Sequence, residues 1–120
     1  MAAVFECVND DVRGLVDDGP VEFDRPGATL LDGPATHLPF ASDYFDLVLT
    51  CGLLIHIPPA DIRKVVEEIA RVARRYVLMI EYAAVEEEAV TYRGVEDALW
   101  RRPFGKLMIA WGGMKQVAWD

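Results

Sequence analysis

The sequence predicts an α/β fold in which mostly parallel strands are flanked by helices. Residues 44–50 have a continuous apolar centre, which is typical of a strand buried on both faces of a parallel sheet. After Pro58-Pro59, apolar residues recur at the i, i+3, i+4 and i+7 spacing of an amphipathic helix. Residues 75–82 indicate a second buried strand. Strand, helix and strand in this order form a βαβ unit, whose crossover we expect to be right-handed.

Length and charge limit the classes of function. A chain of 120 residues is expected to form one domain, residues 1–120, and its 52% apolar content supports a compact core. The net charge of −8 argues against nucleic acid as a partner, because binding phosphates requires clustered cations. The longest apolar run, residues 47–57, is too short and too interrupted to span a bilayer. We therefore expect a cytoplasmic protein that does not bind nucleic acid or a membrane.

Shorter elements are predicted before the βαβ unit. Residues 4–8 and 28–31 are strand candidates, and Asn9-Asp10-Asp11 can cap a short helix that runs to Val16. Gly52 interrupts the apolar run after the best strand, so residues 53–57 are expected to form a turn or a short helix.

The last third of the sequence is less regular. The acidic residues 86–88 are expected to form a solvated surface run. Residues 104–111 are predicted to form a helix that ends at Gly112-Gly113, and residues 115–119 to form a final strand.

Small or polar residues follow three of the predicted strands, where ligands bind in open α/β sheets. At the first, an acid such as Glu6 would accept hydrogen bonds from the hydroxyls of a ribose. At the second, a turn that contains glycine would let the backbone approach a flat base, and at the third Gly52 would let a ligand lie close to the chain. Together these ends predict a cleft for a nucleoside-type cofactor, lined by residues 6–9, 32–35 and 50–52.

Other chemistries have less support in the sequence. It contains no phosphate-binding G-x-x-x-x-G-K-[ST] loop, no G-x-S-x-G elbow and no H-E-x-x-H motif. His37 and His56 are isolated, so no metal site is expected. A nucleophilic pair of Cys51 and His56 would lack a third group to orient it. Cys7 and Cys51 are expected to be buried free thiols.

Two segments resemble class I S-adenosylmethionine-dependent methyltransferases. Residues 31–40 read LDGPATHLPF, and residues 44–59 read YFDLVLTCGLLIHIPP. In that family an LPF and FDLV stretch leads into the fourth strand, and an H-(I/L)-P-P tail opens the next helix. The resemblance continues through residues 75–82. It implies S-adenosyl-L-methionine as the cofactor and a small-molecule or sugar-type methyl acceptor.

The later residues 91–94 and 99–102 are similar to the methyltransferases found with pseudaminic acid and related sugar biosynthesis. The alternative for the same chain is a truncated, non-catalytic methyltransferase-like fragment or an interaction module. Under either interpretation the resemblance covers roughly residues 4–119.

The resemblance implies the cofactor-binding residues position by position. Pro34 stands where many relatives have Asp, which removes an acceptor for the adenine amino group. Glu6 is implied as the ribose acid, although the family has one residue between this acid and a following Asn, whereas this chain has two before Asn9. The turn implied to lie against the adenine consists of Gly33, Pro34 and Ala35. The segment implied to line the methionine portion and the methyl group consists of Thr50, Cys51 and Gly52.

Methyl transfer requires the protein mainly to place the acceptor in line with the sulfonium methyl, with help from a general base. His56 and Glu81 are the candidate general bases; the alternative is a structural histidine before a helix and a structural carboxylate after a strand. Tyr82, Tyr92 and Arg93 are candidates for contact with the acceptor, with core packing or surface pairing as the alternative.

The family's glycine-rich loop after its first strand has no counterpart in this sequence. The resemblance therefore implies a partial Rossmann-like methyltransferase sheet that lacks the first and last strands. In the family, the first strand lies between the second and the fourth, and its loss would leave backbone groups unpaired. We expect the strands to re-pair, or the chain to form a homodimer or to bind a complementing chain.

Overall fold

The structure is a computed structural model that describes residues 2–4, as backbone only, and residues 33–118. It contains two sheets and two α-helices in this part of the chain. In chain order the elements are β1 (Ala2–Val4), β2 (Phe45–Cys51), a short 3₁₀ helix (Leu54–His56), α1 (Ile62–Val72), β3 (Ala73–Ile80), β4 (Glu88–Tyr92), β5 (Val95–Arg101) and α2 (Phe104–Gly112).

The central strand of the first sheet is β2. It pairs in parallel with β1 on one side and with β3 on the other, and Val48 lies in register with Ala3 and with Val77. β2, α1 and β3 are the predicted βαβ unit, which the structure confirms. The 3₁₀ helix after β2 confirms the turn or short helix expected at residues 53–57.

Helix α1 covers one face of this sheet. All its periodic apolar residues are buried, as the spacing predicts, because one stripe of an amphipathic helix faces the core. The carbonyl of Pro58 accepts the backbone N–H groups of Asp61 and Ile62 and so begins the helix. The same apolar cluster contains Phe104 and Met108 of α2 along with the α1 residues Ile62, Val65, Val66, Ile69 and Val72.

The face of the first sheet that lies opposite α1 is more exposed than the sequence predicts. Residues 44–50 and 75–82 were expected to be buried on both faces, but only residues 45, 48 and 50 are buried, and residues 75–82 are half-buried or exposed. Val48 is fully buried, whereas Leu47 and Leu49 are half-buried. On β3 the exposed fractions are 58% for Tyr76, 51% for Leu78 and 55% for Ile80. Helix α1 packs against the opposite face, and the side chains on this face remain in contact with solvent.

The last third contains an antiparallel hairpin that the sequence analysis did not predict. β4 and β5 pair with Tyr92 opposite Val95, so only Arg93 and Gly94 form the turn. Both have positive φ, 52° and 78°, as a two-residue turn of a hairpin requires. The acidic run before the hairpin is exposed, as expected.

Helix α2 confirms the prediction for residues 104–111. Gly113, with φ of 65°, ends it in the left-handed conformation that favours glycine. The strand predicted at residues 115–119 is wrong for residues 115–118, which are exposed and pair with no described strand. These residues follow the chain reversal at Gly113 and lie beside the start of α2 instead.

The remaining predictions concern the first 32 residues, of which the structure describes only residues 2–4. The strand predicted at residues 4–8 begins earlier, at Ala2–Val4. The predicted helix at residues 9–16, the predicted strand at residues 28–31, and Glu6 and Cys7 lie outside the described residues. Among the described helices none is both long and apolar enough to cross a membrane.

Candidate functional site

The backbone turns sharply where β2 ends. Gly52 has φ of +60°, and its N–H donates to the carbonyl of Ile80 at 2.9 Å, which continues the pairing of β2 with β3 by one residue. A Cβ atom at Gly52 would meet nothing within 4 Å, so glycine is needed here for conformation and not for space. The turn therefore leaves open space at the carboxyl end of the central strand.

The side chain of Glu81 holds this turn in place. Its Oε1 accepts the backbone N–H of Leu53 at 3.1 Å and that of Leu54 at 3.2 Å. Its Oε2 is buried and has no hydrogen-bond partner within the described region. One oxygen of the carboxylate thus fixes the backbone after β2, while the other keeps its capacity to accept a proton or a hydrogen bond.

Arg102 binds the same turn through a backbone carbonyl, whereas Glu81 binds it through backbone N–H groups. It is 0% exposed, and its Nη1 donates to the carbonyl of Leu54 at 3.1 Å. Its Nε donates to Glu87 Oε2 at 2.6 Å, and its guanidinium carbon lies 5.6 Å from the centroid of the Trp100 ring. No role was predicted for Arg102, because its position between an exposed arginine and a proline carries no signal of burial.

Thr50 and Cys51 point to opposite faces of the sheet. Thr50 is 0% exposed, lies in register with Met79 on the face covered by α1, and its Oγ1 has no partner in the described part of the chain. Cys51 is an exposed free thiol in register with Ile80. The expectation of a buried thiol is wrong for Cys51, because it lies on the face that the described helices leave open.

The predicted adenine turn lies at the start of the described chain. Gly33 and Pro34 are exposed, whereas Ala35 is 8% exposed and belongs to the apolar core. The carbonyl of Pro34 accepts the backbone N–H of His37 at 3.1 Å and closes the turn. The predicted ribose acid, Glu6, lies outside the described residues.

A partly buried ion pair on α1 anchors the loop that follows this turn. Glu68 is 4% exposed, and its two carboxylate oxygens accept from Arg71 Nε at 2.7 Å and Nη2 at 3.0 Å. Glu68 Oε2 also accepts the backbone N–H of Leu38 at 2.8 Å. Arg71 in turn donates to the carbonyls of Leu38 and Phe40. Helix α1 therefore fixes the path of the loop between the predicted adenine turn and β2.

The hydrogen bonds from Arg71 lower the pKa of Glu68 from 4.5 to about 2. Burial of the carboxylate acts in the opposite direction, and the hydrogen bond from the Leu38 N–H lowers the pKa further. Glu68 is therefore ionised at neutral pH. Two arginines near the end of α1 form specific pairs: Arg71 donates to the carbonyl of Phe40 in the loop, and Arg74 on β3 pairs with Asp46 on β2.

The remaining predicted residues are more scattered. His56 ends the 3₁₀ helix and is half-buried, and Tyr82 is 70% exposed. Tyr92 and Arg93 lie at the turn of the hairpin, with the Arg93 guanidinium 5.1 Å from the centroid of the Tyr92 ring. The structure thus joins Glu81 to the backbone next to Gly52, and it places Tyr92 and Arg93 on the hairpin.

Other kinds of site have weaker support. No group of three or more potential metal ligands occurs among the described residues. An open groove beside the start of α2 is separate from the turn after β2, and it is lined by Ala83, residues 103–106 and residues 116–118.

A parallel sheet whose central strand ends in a glycine turn defines the class of α/β domains that bind ligands at the carboxyl ends of their strands. The family model described as "Methyltransferase domain" matches residues 6–80, which is more than half of the chain. The chain therefore belongs to this family, among the class I S-adenosylmethionine-dependent methyltransferases. The small α/β structure is compatible with part of a methyltransferase fold. The comparison with curated proteins gave no match.

Proposed function

We propose that this chain binds S-adenosylmethionine at the turn after β2 and takes part in transfer of its methyl group to a small-molecule or sugar-type acceptor. The observation that carries the proposal is the pair of hydrogen bonds from Leu53 and Leu54 to Glu81 Oε1. They fix an open glycine turn at the carboxyl end of the central strand, within a domain of the methyltransferase family. Such fixed backbone is what close approach of a ligand requires.

The predicted cofactor residues form two groups in this proposal. Gly52 and the exposed Cys51 face open space and would lie along the methionine portion, whereas Thr50 would contribute its backbone because its side chain is buried. The exposed Gly33 and Pro34 would lie against the adenine, with Ala35 anchoring their turn in the core. Glu6 is kept as the proposed ribose acid on the resemblance alone.

Glu81 is the better supported of the two candidate general bases. S-adenosylmethionine, when bound, supplies an electrophilic methyl group on a sulfonium. Glu81 Oε2 is buried without a described partner, and in this proposal it would accept the proton that an acceptor hydroxyl or amine loses. The acceptor lone pair would form the new bond to the methyl carbon while the bond from that carbon to sulfur breaks, with S-adenosylhomocysteine as the leaving group. His56 is the second candidate, because it lies in the same turn.

The acceptor is proposed to contact the residues that follow the matched region. Tyr82 is exposed directly after Glu81, and Tyr92 and Arg93 are exposed on the hairpin. Aromatic rings and a guanidinium suit a polar, sugar-like acceptor. The resemblance of residues 91–94 and 99–102 to methyltransferases of pseudaminic acid biosynthesis supports the same class.

We also propose that the parallel sheet of β1, β2 and β3 is part of a Rossmann-like methyltransferase sheet. A homodimer or a complementing chain would then cover the apolar face of the sheet, which the exposed side chains of Tyr76, Leu78 and Ile80 support. The cytoplasm is kept as the expected location, on the sequence alone.

Calorimetric titration of the purified 120-residue chain with S-adenosylhomocysteine tests the proposal. Binding with a Kd in about the micromolar range is expected for a functional cofactor site. Absence of binding at millimolar ligand would overturn the proposal for the isolated chain. That result would favour the alternative, a non-catalytic fragment or interaction module.

A further inference from the structure

We infer that Arg102 is a positioning residue that couples the β4–β5 hairpin to the proposed cofactor-binding turn. The inference rests on the proposed function for what the turn binds. Arg102 directly follows β5, and Glu87 directly precedes β4, so their ion pair of 2.6 Å closes the open end of the hairpin. The same guanidinium donates to the Leu54 carbonyl at 3.1 Å. One side chain therefore joins both ends of the hairpin to the turn after β2.

Burial fixes the geometry of this junction. The Arg102 side chain is 0% exposed, while Glu87 is 43% exposed. A buried charge is costly unless it keeps its partners, so the guanidinium is bound to the Leu54 carbonyl and the Glu87 carboxylate as a unit. The planar guanidinium donates to the Glu87 carboxylate and to the Leu54 carbonyl at the same time from fixed positions, whereas the ammonium group of a lysine lacks this fixed geometry.

Leu54 is consequently held at both of its backbone polar groups. Its N–H donates to Glu81 Oε1 at 3.2 Å, and its carbonyl accepts from Arg102 Nη1 at 3.1 Å. A displacement of the hairpin would reach Leu54 through Arg102 and then Glu81, the proposed base, through the Leu54 N–H. The hairpin also carries Tyr92 and Arg93, so binding of an acceptor there would be transmitted to the cofactor side.

The hairpin supplies its own matched control. Arg101, the neighbour of Arg102, pairs with Glu88 at 2.6 Å, but both side chains are about half exposed, at 47% and 49%. This pair also bridges β4 and β5, and no bond to Leu54 is made by Arg101 among the described hydrogen bonds. Replacing Arg101 removes an arginine from the same hairpin without removing the link to the turn.

The test compares Arg102→Met, Arg102→Lys and Arg101→Met by amide hydrogen exchange and by calorimetry with S-adenosylhomocysteine. In Arg102→Met we expect exchange in residues 53–57 to be about tenfold faster, with exchange in α1 unchanged. We expect the affinity for S-adenosylhomocysteine to fall by about fivefold or more. Arg102→Lys should recover part of both losses, and Arg101→Met should match the wild type within about twofold.

Unchanged exchange in residues 53–57 of a folded Arg102→Met variant would overturn the coupling. If that variant does not fold, Glu87→Gln replaces it, because Glu87 is partly exposed and the substitution leaves Arg102 a neutral acceptor. We then expect amide exchange in residues 53–57 to be faster in Glu87→Gln than in the control variant Glu88→Gln. Equal exchange of these residues in the two variants would overturn the inference. A wild type that does not bind S-adenosylhomocysteine would contradict the proposed function, while the exchange data would still decide the coupling.

Discussion

At the scale of single residues, a single substitution separates the observed contact of Glu81 with the turn from its proposed role as the general base. Glu81→Gln keeps a carbonyl oxygen able to accept the N–H groups of Leu53 and Leu54 but removes the proton acceptor. We expect the affinity for S-adenosylhomocysteine to stay within about threefold of the wild type. Transfer of labelled methyl groups to a small-molecule extract should fall by about 10²-fold or more.

Glu81→Ala is the comparison for this prediction, since it loses the turn as well as the base. It should weaken binding and abolish transfer together. Full transfer activity in Glu81→Gln would show that the carboxylate is not the base and would leave His56 as the candidate.

Glu68 is a buried, ionised residue whose charge is expected to stabilise the described core. Glu68→Gln removes the bidentate bond to Arg71 and weakens the hold on Leu38. We expect a loss of about 1–3 kcal/mol in the free energy of unfolding, measured by urea denaturation at pH 7. The neighbouring Glu67→Gln, which breaks an exposed pair with Arg63, should cost less than about 0.5 kcal/mol. Equal losses in the two variants would contradict this account of Glu68.

The lowered pKa of Glu68 also gives a direction for the dependence of stability on pH. Because the pKa is 4.5 without the folded partners and about 2 with them, the ionised pair stabilises the fold above about pH 4.5. This contribution is lost as the pH falls from about 4.5 towards 2. Urea denaturation of the wild type and of Glu68→Gln at several pH values should therefore give free energies that converge in acid. A constant difference down to pH 2 would contradict the assignment.

At the scale of elements, the exposed face of β3 predicts a contrast between two substitutions. Leu78→Ala should change the free energy of unfolding by less than about 1 kcal/mol in a monomer, because about half of the side chain is already in solvent. Val48→Ala, in a fully buried position on β2, should cost about 2 kcal/mol or more. Chemical denaturation measures both, and a large loss for Leu78→Ala would show that another surface covers β3.

Local sequence patterns were sufficient to predict the two helices but did not lead to a prediction of the hairpin. α1 was predicted from its spacing and α2 to within one residue, because helical periodicity and a terminal glycine are local signals. The hairpin was missed, although its signal was present. Val90, Thr91 and Tyr92 are strand-forming residues before the turn residues Arg93 and Gly94.

At the scale of the whole molecule, burial depends on which distant segments meet, and a linear pattern does not show that. Residues 76–80 of β3 are apolar or aromatic throughout, as in a strand buried on both faces, yet alternate residues face solvent. The site is similar: Gly52 and Glu81 were both singled out from the sequence, but their connection through Leu53 and Leu54 comes only from the pairing of β2 with β3. Arg102 reaches the turn from 48 residues away in the chain, so no local motif could reveal it.

An apolar sheet face also makes a prediction about assembly. If two copies cover each other's exposed residues, Leu78→Lys should convert a dimer into a monomer without unfolding it, because a charge would be buried at the contact. Analytical ultracentrifugation of the wild type and of Leu78→Lys measures this. The control is Val95→Lys, at an exposed apolar position on the hairpin. A monomeric wild type would contradict the homodimer and leave a complementing chain as the proposed partner.

The central claim is that the turn after β2 binds the cofactor, and two glycines with the same backbone constraint test it. Gly52 has φ of +60° in that turn, and Gly94 has φ of +78° in the hairpin turn. Valine at either position is strained by about 1–2 kcal/mol, so the general cost is matched. Calorimetry with S-adenosylhomocysteine should show a Kd raised by about tenfold or more in Gly52→Val and by no more than about twofold in Gly94→Val. Equal affinities in the two variants, or a stronger effect at Gly94, would contradict the claim.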